Sequence, residues 1–230
     1  MPAPAAVFFD VDFTLIYPGP TFQGEGYRAF AASYGMTIDP ARFDHAVRAA
    51  SSILDSAQEH VYDADIFVRY TGRIIEEMGG RGGRVTDCAR EIYAEWAACQ
   101  HFFLYDDVAP ALTALAADGF RLGLISNSHR PLDAFKEHFE LDNLVTVAIS
   151  SSDHGYMKPH PSIFEAALAE MGVSAAASVM VGDSIAHDIV GAQGVGMRGV
   201  LVHRSSEPVS APADVPVIRT LNELPALLRG

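Results

Sequence analysis

Ala5-Ala6-Val7-Phe8-Phe9 is apolar without a break and stops abruptly at Asp10-Val11-Asp12. A strand with no polar face cannot border water, so this run belongs inside a parallel sheet covered on both sides. Residues 120–125, 144–149, 178–181 and 199–202 read as further strands. Helical patterns fall between them. Val108, Ala111, Leu112, Leu115 and Ala116 recur at helical spacing before Gly119. Ile163, Phe164, Ala167, Leu168 and Met171 make one apolar face, opened by Pro161 and closed by Gly172. Residues 185–193 read as helix, and the Pro/Ser-rich stretch 204–216 leads into a short last helix.

Strands alternating with helices predict an α/β fold, a doubly wound (Rossmann-like) parallel sheet with right-handed crossovers. The alternation is interrupted once. From 19 to 101 the pattern is long and helical, with no comparable strand, which predicts an inserted α-helical cap domain. The expected organisation is a core of residues 1–18 and 104–230 and a cap of residues 19–103. Hinges are expected near 17–19 and 104–107, with the cap closing over the core to exclude water. Phe22, Gln23 and Glu25 follow the first hinge and are candidate specificity residues, whereas Trp96, Phe102 and Phe103 read as packing.

Charge removes several function classes. Against 29 Asp plus Glu stand 16 Lys plus Arg, a net charge of −13. A nucleic-acid polymer or an anionic membrane surface needs a cationic face, so neither is an expected partner. There is no apolar run of membrane-spanning length and no leader pattern at the start, so a cytoplasmic protein is expected. Cys88 and Cys99 read as lying on one helix about 16 Å apart, too far for a disulfide, so both are expected as free thiols.

In open α/β sheets, ligands bind beyond the carboxyl ends of the strands. Asp10 and Asp12 follow the first strand, Ser126 and Asn127 the second, Lys158 the third and Asp183 the fourth. Several carboxylates converging on one edge raise one another's pKa unless a cation sits among them. A hard divalent ion with oxygen ligands, most simply Mg²⁺, meets that need. The ammonium and hydroxyl suit a phosphoryl group. With fourteen Arg and only Lys136 and Lys158 as lysines, a lysine at this edge suggests a need for a compact point charge.

Four ordered segments, DVDFTL at 10–15, SN at 126–127, KPHPSIF at 158–164 and GDSIAHDIVGA at 182–192, resemble the motifs of the haloacid dehalogenase-like (HAD) superfamily. The resemblance spans the core on both sides of the insertion, which lies where that family places its helical type-1 cap. It implies that Asp10 is a nucleophile forming an aspartyl phosphate and that Asp12 is the general acid and base. It further implies that Thr14 and Ser126 hydrogen-bond the site and the transferring oxygens, that Asn127 helps position substrate, and that Lys158 neutralises phosphate charge. Mg²⁺ would be held by the Asp10 and Asp183 carboxylates and the Asp12 carbonyl, with Asp188 supporting the site. The implied activity is hydrolysis of a small-molecule phosphate ester by a monomer or homodimer.

A phosphomutase using the same groups, a 2-haloacid dehalogenase and a non-catalytic phosphate-ester-binding module are the alternatives. Asp12 argues against the dehalogenase, whose relatives lack a carboxylate there. Two residues depart from the family pattern: Phe13 stands where Gly is common, and His187 where Asn commonly precedes the second Asp of the last motif. Gly194, Gly196 and Gly199 spell GxGxxG, but between a helix and a strand, the reverse of a dinucleotide fingerprint, so they read as a turn. Ser184 in GDSIA has no evident triad partners, and His154 and His160 read as loop residues.

Overall fold

A computed structural model describes residues 5–56 and 60–229 of the 230-residue chain. It begins with strands β1 (Ala6–Phe9) and β2 (Ile16–Pro18), followed by helices α1 (Gly24–Ser33), α2 (Phe43–Ala50), α3 (Ala64–Glu77) and α4 (Val85–Glu95). Next come β3 (Phe102–Leu104), α5 (Val108–Ala117), β4 (Arg121–Ser126), α6 (Leu132–His138), β5 (Val145–Ser150), α7 (Ser151–His154) and α8 (Pro161–Met171). The chain finishes with β6 (Ser178–Gly182), a π-helical turn at Ile185–Val190, α9 (Gly191–Gly194), β7 (Arg198–Val202), β8 (Val217–Ile218) and α10 (Leu224–Arg229).

The contacts divide these elements into two compact units, one of Met1–Tyr17 with Leu104–Gly230, the other of Pro18–Phe103. The chain leaves the first unit in β2 and returns in β3, and these two strands pair with each other.

In the first unit a six-stranded sheet runs in the order β5-β4-β1-β6-β7-β8, with every neighbouring pair parallel. This is the α/β sheet expected from the alternation of patterns. Ala6 and Phe8 join Ile125, Val147 and Met180 in one buried cluster with the apolar face of α8. Val7 and Phe9, in register with Leu122 and Leu124, turn to the other face and are equally buried. Gly123 is required by this packing: a Cβ there would meet the Phe8 ring at 2.7 Å and the Met171 methyl at 2.8 Å. Truncating Phe8 to Ala would cost about 3–5 kcal/mol through lost contacts and a cavity.

Helix α8 opens at Pro161, with the His160 ring accepting from the Ser162 N–H, and closes on Gly172 at φ +66°. From β1 the chain moves to β4 and β5 on one side, then to β6, β7 and β8 on the other. The order therefore reverses between β1 and β6, and their carboxyl ends flank the crevice such a sheet uses for ligands.

The second unit is helical. Helix α3 packs on α2 and α4, burying Ile66, Ile74, Ile75 and Ile92. Phe22 is 1% exposed, its ring 4.6 Å from Trp96 and 5.4 Å from Phe102. Those rings pack the unit's interior, while Phe103 is half exposed.

Three sequence expectations need adjusting. The helix carrying Cys88 ends at Glu95, and Cys99 lies in a separate 3-10 turn, because the Ala-rich pattern runs past the point where the backbone leaves the helix. Both cysteines are free thiols. The helix expected over 185–193 opens as a π-helical turn and becomes α-helical only at Gly191. The short strand β8 follows a stretch read as loop, since two residues carry too little pattern to be seen. Among the described residues no helix is long and apolar enough to cross a membrane.

Candidate active site

Every residue of the site belongs to the first unit. Asp10 directly follows β1, and its N–H donates to the Val181 carbonyl at 2.9 Å, so the sheet pairing continues one residue past the strand and fixes its backbone. The next turn is closed by hydrogen bonds from Phe13 N–H to the Ile16 carbonyl and from Leu15 N–H to the Val11 carbonyl. Phe13 takes φ +64° there, the left-handed conformation that favours glycine, and is half exposed. That backbone conformation explains physically why Gly is common at this position.

Lys158 is the centre of the cluster. Its buried Nζ donates to Asp10 Oδ1 at 2.7 Å, Asp188 Oδ1 at 2.6 Å and the Ile125 carbonyl at 2.7 Å, using all three of its protons. Three acceptors around one nitrogen suit an ammonium, not a planar guanidinium. Burial alone would lower its pKa, but the two carboxylates outweigh burial and hold it above the ordinary lysine value. Asn127 clamps the Lys158 main chain from both sides: its Oδ1 accepts from the Lys158 N–H at 2.7 Å and its Nδ2 donates to the Lys158 carbonyl at 2.9 Å. Ser126, buried at the end of β4, donates to Ser128 Oγ at 3.0 Å. Thr14 is wholly buried, and its hydroxyl has no hydrogen-bond partner among the described residues.

Asp183 and Asp188 come from the segment after β6. Asp188 Oδ2 accepts from the Ser184 N–H at 2.9 Å, so both its oxygens are held. Gly182 makes room for it, because a Cβ at 182 would overlap the Asp188 carboxylate. Asp183 is exposed. Its pKa is pushed up to about 8, first by desolvation of the carboxyl and then by the charges of Asp10 and Asp188. Because the residue stays open to solvent, the charge repulsion is the contribution an added cation would remove. Asp10 is raised as well, by burial and by Asp188, with Lys158 opposing.

Carboxylate oxygens of Asp10, Asp183 and Asp188 lie within 4.8 Å of one another. Three acids around one ammonium leave an excess of negative charge, and an all-oxygen donor set of this span fits a hard divalent cation. The Asp12 carboxylate is not in this group. It forms an ion pair with Arg130, whose Nη1 donates to Asp12 Oδ1 at 3.1 Å and Oδ2 at 3.2 Å. Burial raises the Asp12 pKa and the Arg130 charge opposes that rise.

Arg130 is the residue that sequence reasoning missed. It is 1% exposed, and a buried guanidinium requires a carboxylate partner. Nothing in the residues around it marks it out, because its partner Asp12 stands 118 residues away in the sequence. Arg204 was missed too. It donates from Nη2 to the Thr14 carbonyl at 2.8 Å, pairs with both oxygens of Asp107, and lies over the Tyr105 ring at 3.7 Å.

The remaining motifs have structural settings. Ser184 caps the π-helical turn by accepting from the His187 N–H, and its Oγ lies 3.2 Å from His187 Nδ1. His154 and His160 both meet Ser162 Oγ at 2.8 Å. The GxGxxG glycines run from the end of α9 at Gly194, through Gly196 at φ +88° in the turn, to Gly199 within β7.

Comparison with known proteins identifies the family. The family model described as haloacid dehalogenase-like hydrolase matches residues 4–196. N-acylneuraminate-9-phosphatase of Mus musculus is 30% identical, over 98% of this chain and 94% of its own. Among solved structures, a HAD phosphatase from Thermococcus onnurineus superposes with a TM-score of 0.67 at 26% identity, covering 98% of each chain. A 2-haloacid dehalogenase from Pseudomonas syringae pv. Tomato superposes at 0.65, also at 26% identity and with 98% of each chain covered. With its parallel sheet, the acids at the β1 and β6 ends and a family match over most of its length, this chain belongs to the haloacid dehalogenase-like hydrolases.

Proposed function

We propose that the chain is a Mg²⁺-dependent phosphomonoester hydrolase acting on a small phosphorylated metabolite through an aspartyl phosphate on Asp10. The observation that carries this reading is the pairing of two differently held carboxylates two residues apart. Asp10 sits against Lys158 in the acid cluster, and Asp12 is turned to Arg130. An Asp10 oxygen attacks phosphorus, the bond from phosphorus to the ester oxygen breaks, and Asp12 gives its proton to the departing alkoxide. Asp12 then takes a proton from a water molecule whose oxygen attacks the phosphoryl group, freeing inorganic phosphate and restoring Asp10.

Lys158 offsets the charge that builds on the nucleophile and the phosphoryl oxygens. Its place depends on Asp188 and on the Asn127 clamp, so we assign Asn127 a positioning role. The Asp10 and Asp183 carboxylates, supported by Asp188, would hold Mg²⁺, which when bound supplies positive charge to the phosphoryl oxygens. The helical unit is proposed as the specificity-setting cap, and the two free thiols suit a cytoplasmic enzyme.

The similarity to a dehalogenase keeps one rival in view. A halide-displacing enzyme needs a nucleophilic carboxylate but no acid for an alkoxide, so Asp12 held by Arg130 supports the phosphatase. The test is turnover of p-nitrophenyl phosphate with Mg²⁺, in wild type and Asp10→Asn, with EDTA and after Mg²⁺ is restored. Turnover should vanish with EDTA and return with Mg²⁺. Undiminished turnover by Asp10→Asn, or chloride release from 2-chloropropionate in place of phosphate release, would overturn the reading. A panel of phosphoglycolate, sugar phosphates and nucleotides then identifies the substrate.

A further inference from the structure

The turn that follows Asp10 and Asp12 is held from outside itself. Phe13 is strained there at φ +64°, and a strained residue persists only where its surroundings fix it. The two hydrogen bonds that close the turn, Phe13 N–H to the Ile16 carbonyl and Leu15 N–H to the Val11 carbonyl, do not use the carbonyls of Thr14 and Leu15. Both of those are taken by residues far along the chain. The Leu15 carbonyl accepts from the Tyr105 N–H at 3.0 Å, and the Thr14 carbonyl accepts from Arg204 Nη2 at 2.8 Å.

Arg204 lies two residues past β7, and β6 stands between β7 and β1 in the sheet. Its side chain therefore reaches across the end of the middle strand to the turn. The guanidinium is itself fixed: Nη1 donates to Asp107 Oδ2 at 2.8 Å, Nη2 to Asp107 Oδ1 at 3.0 Å, and its plane rests over the Tyr105 ring. Asp107 is anchored in turn by the Thr220 hydroxyl and the Leu221 N–H. Arg204 Nε has no hydrogen-bond partner among the described residues, so the hold runs through the two terminal nitrogens. The Tyr105 phenol feels this guanidinium and the acid cluster together: burial raises its pKa, Arg204 opposes the rise and Asp183 adds to it. The brace borders the acid cluster without belonging to it.

We propose that Arg204 is a positioning residue for phosphoryl transfer, which by holding the Thr14 carbonyl keeps the main chain of Asp10 and Asp12 in the arrangement the transfer needs. This rests on the roles assigned above to those two aspartates. Arg204 itself touches neither carboxylate's reacting partner. The charge that meets the phosphate, Lys158, is held separately by Asp188 and the Asn127 clamp. Loss of Arg204 should therefore displace the reacting groups and leave substrate binding in place, an effect on kcat and not on KM.

The test measures kcat and KM for p-nitrophenyl phosphate with Mg²⁺, per folded molecule and below every unfolding transition, in wild type, Asp107→Ala, Arg204→Met and Arg204→Lys. Arg204→Met should lower kcat roughly 20–100-fold, because a displacement near 1 Å is enough for a loss of that size. Its KM should stay within about threefold of wild type. Asp107→Ala removes the anchor but leaves the Thr14 contact, and should keep kcat within about tenfold of wild type. In Arg204→Lys an ammonium in the place of Nη2 can donate to both the Thr14 carbonyl and Asp107, so at least about fivefold of the lost kcat should return. Should Arg204→Met not fold, Arg204→Gln replaces it, since its amide is too short to reach the turn and leaves Asp107 with the Thr220 and Leu221 donors. Active wild type with Arg204 variants no slower than Asp107→Ala, a loss confined to KM, or no recovery by Arg204→Lys would each overturn the assignment alone. A wild type without turnover would overturn the phosphatase reading and the assignment with it.

Discussion

Two polar clusters in the α/β unit, each built around aspartate and a buried or half-buried cation, behave in opposite ways. Asp107, ahead of α5, accepts from both terminal nitrogens of Arg204, from the Thr220 hydroxyl at 2.6 Å and from the Leu221 N–H at 2.8 Å. Burial would raise its pKa, but these donors outweigh burial and hold it below the ordinary value of 3.8. At the sheet edge, Asp10, Asp12 and Asp183 all lie above that value, because burial and mutual repulsion exceed what Lys158 and Arg130 return. One cluster has more donors than its charge requires and joins chain segments 97 and 113 residues apart. The other holds more negative charge than its donors neutralise, a state that stability alone would not select. Unrelieved charge of this kind marks sites of chemistry.

The sharpest break between the two comes from removing one acid from each. Asp10→Asn should lower phosphatase turnover at least ~10³-fold, about 4 kcal/mol of barrier. Its unfolding midpoint should equal or exceed the wild-type midpoint, since one of three crowded acids is gone while Lys158 keeps Asp188. Asp107→Ala should do the reverse. Leaving Arg204 without its carboxylate should cost about 3 kcal/mol of stability in urea titrations, with turnover reduced less than about tenfold because Arg204 still holds the Thr14 carbonyl. A stability loss in the first variant or none in the second would erase the distinction.

Acid sharpens the same contrast. The folded-state pKa of Asp107 is depressed, so its contribution is complete above the unfolded-state value and disappears as pH falls through the folded-state one. The stability gap between wild type and Asp107→Ala should be constant near neutrality, begin to close around pH 3.8 and be lost below the depressed value. A gap that closed already between pH 8 and 5 would assign the linkage to another group.

How much of this was legible beforehand follows the range of the interactions. Asp10 and Asp183 could be read because each stands just past a strand, and strand ends converge by topology, whereas Lys158, separated from β5 by α7, was legible through its place in the KPHPSIF segment. Arg130 and Arg204 could not, because their partners lie 118 and 97 residues away and nothing local distinguishes them from surface arginines. The same limit applies to Asn127. Its position at a strand end was visible, but only the fold shows its amide held by the Lys158 backbone. Strand β8 and the π-helical turn were hidden for the opposite reason, since a two-residue strand and a shifted helical ladder leave almost no period to detect.

Arg130 sets the next largest effect. It touches Asp12 and is assigned a positioning role, so its loss should fall on kcat more than on KM. Arg130→Met should reduce kcat roughly 10–100-fold, about 1.4–2.8 kcal/mol, and Arg130→Lys should recover part of that by restoring charge without the fork. An increase confined to KM would instead place Arg130 on the substrate.

The smallest effect belongs to Phe13 and tests whether the edge stores backbone strain as well as charge. A non-glycine residue in the left-handed region costs about 1–2 kcal/mol, and Phe13 at φ +64° lies there with its ring half exposed, so little packing is returned. Comparing Phe13→Gly with Phe13→Ala isolates the backbone, because neither keeps the ring. In most positions Ala is the more stable of the two by roughly 0.5–1 kcal/mol, since Gly frees the unfolded chain. Here the order should invert, with Gly the more stable by up to about 1 kcal/mol once the left-handed cost exceeds that entropy. The usual order would mean that the turn from Val11 to Ile16 relaxes around any side chain, and that the strain at this edge is electrostatic alone.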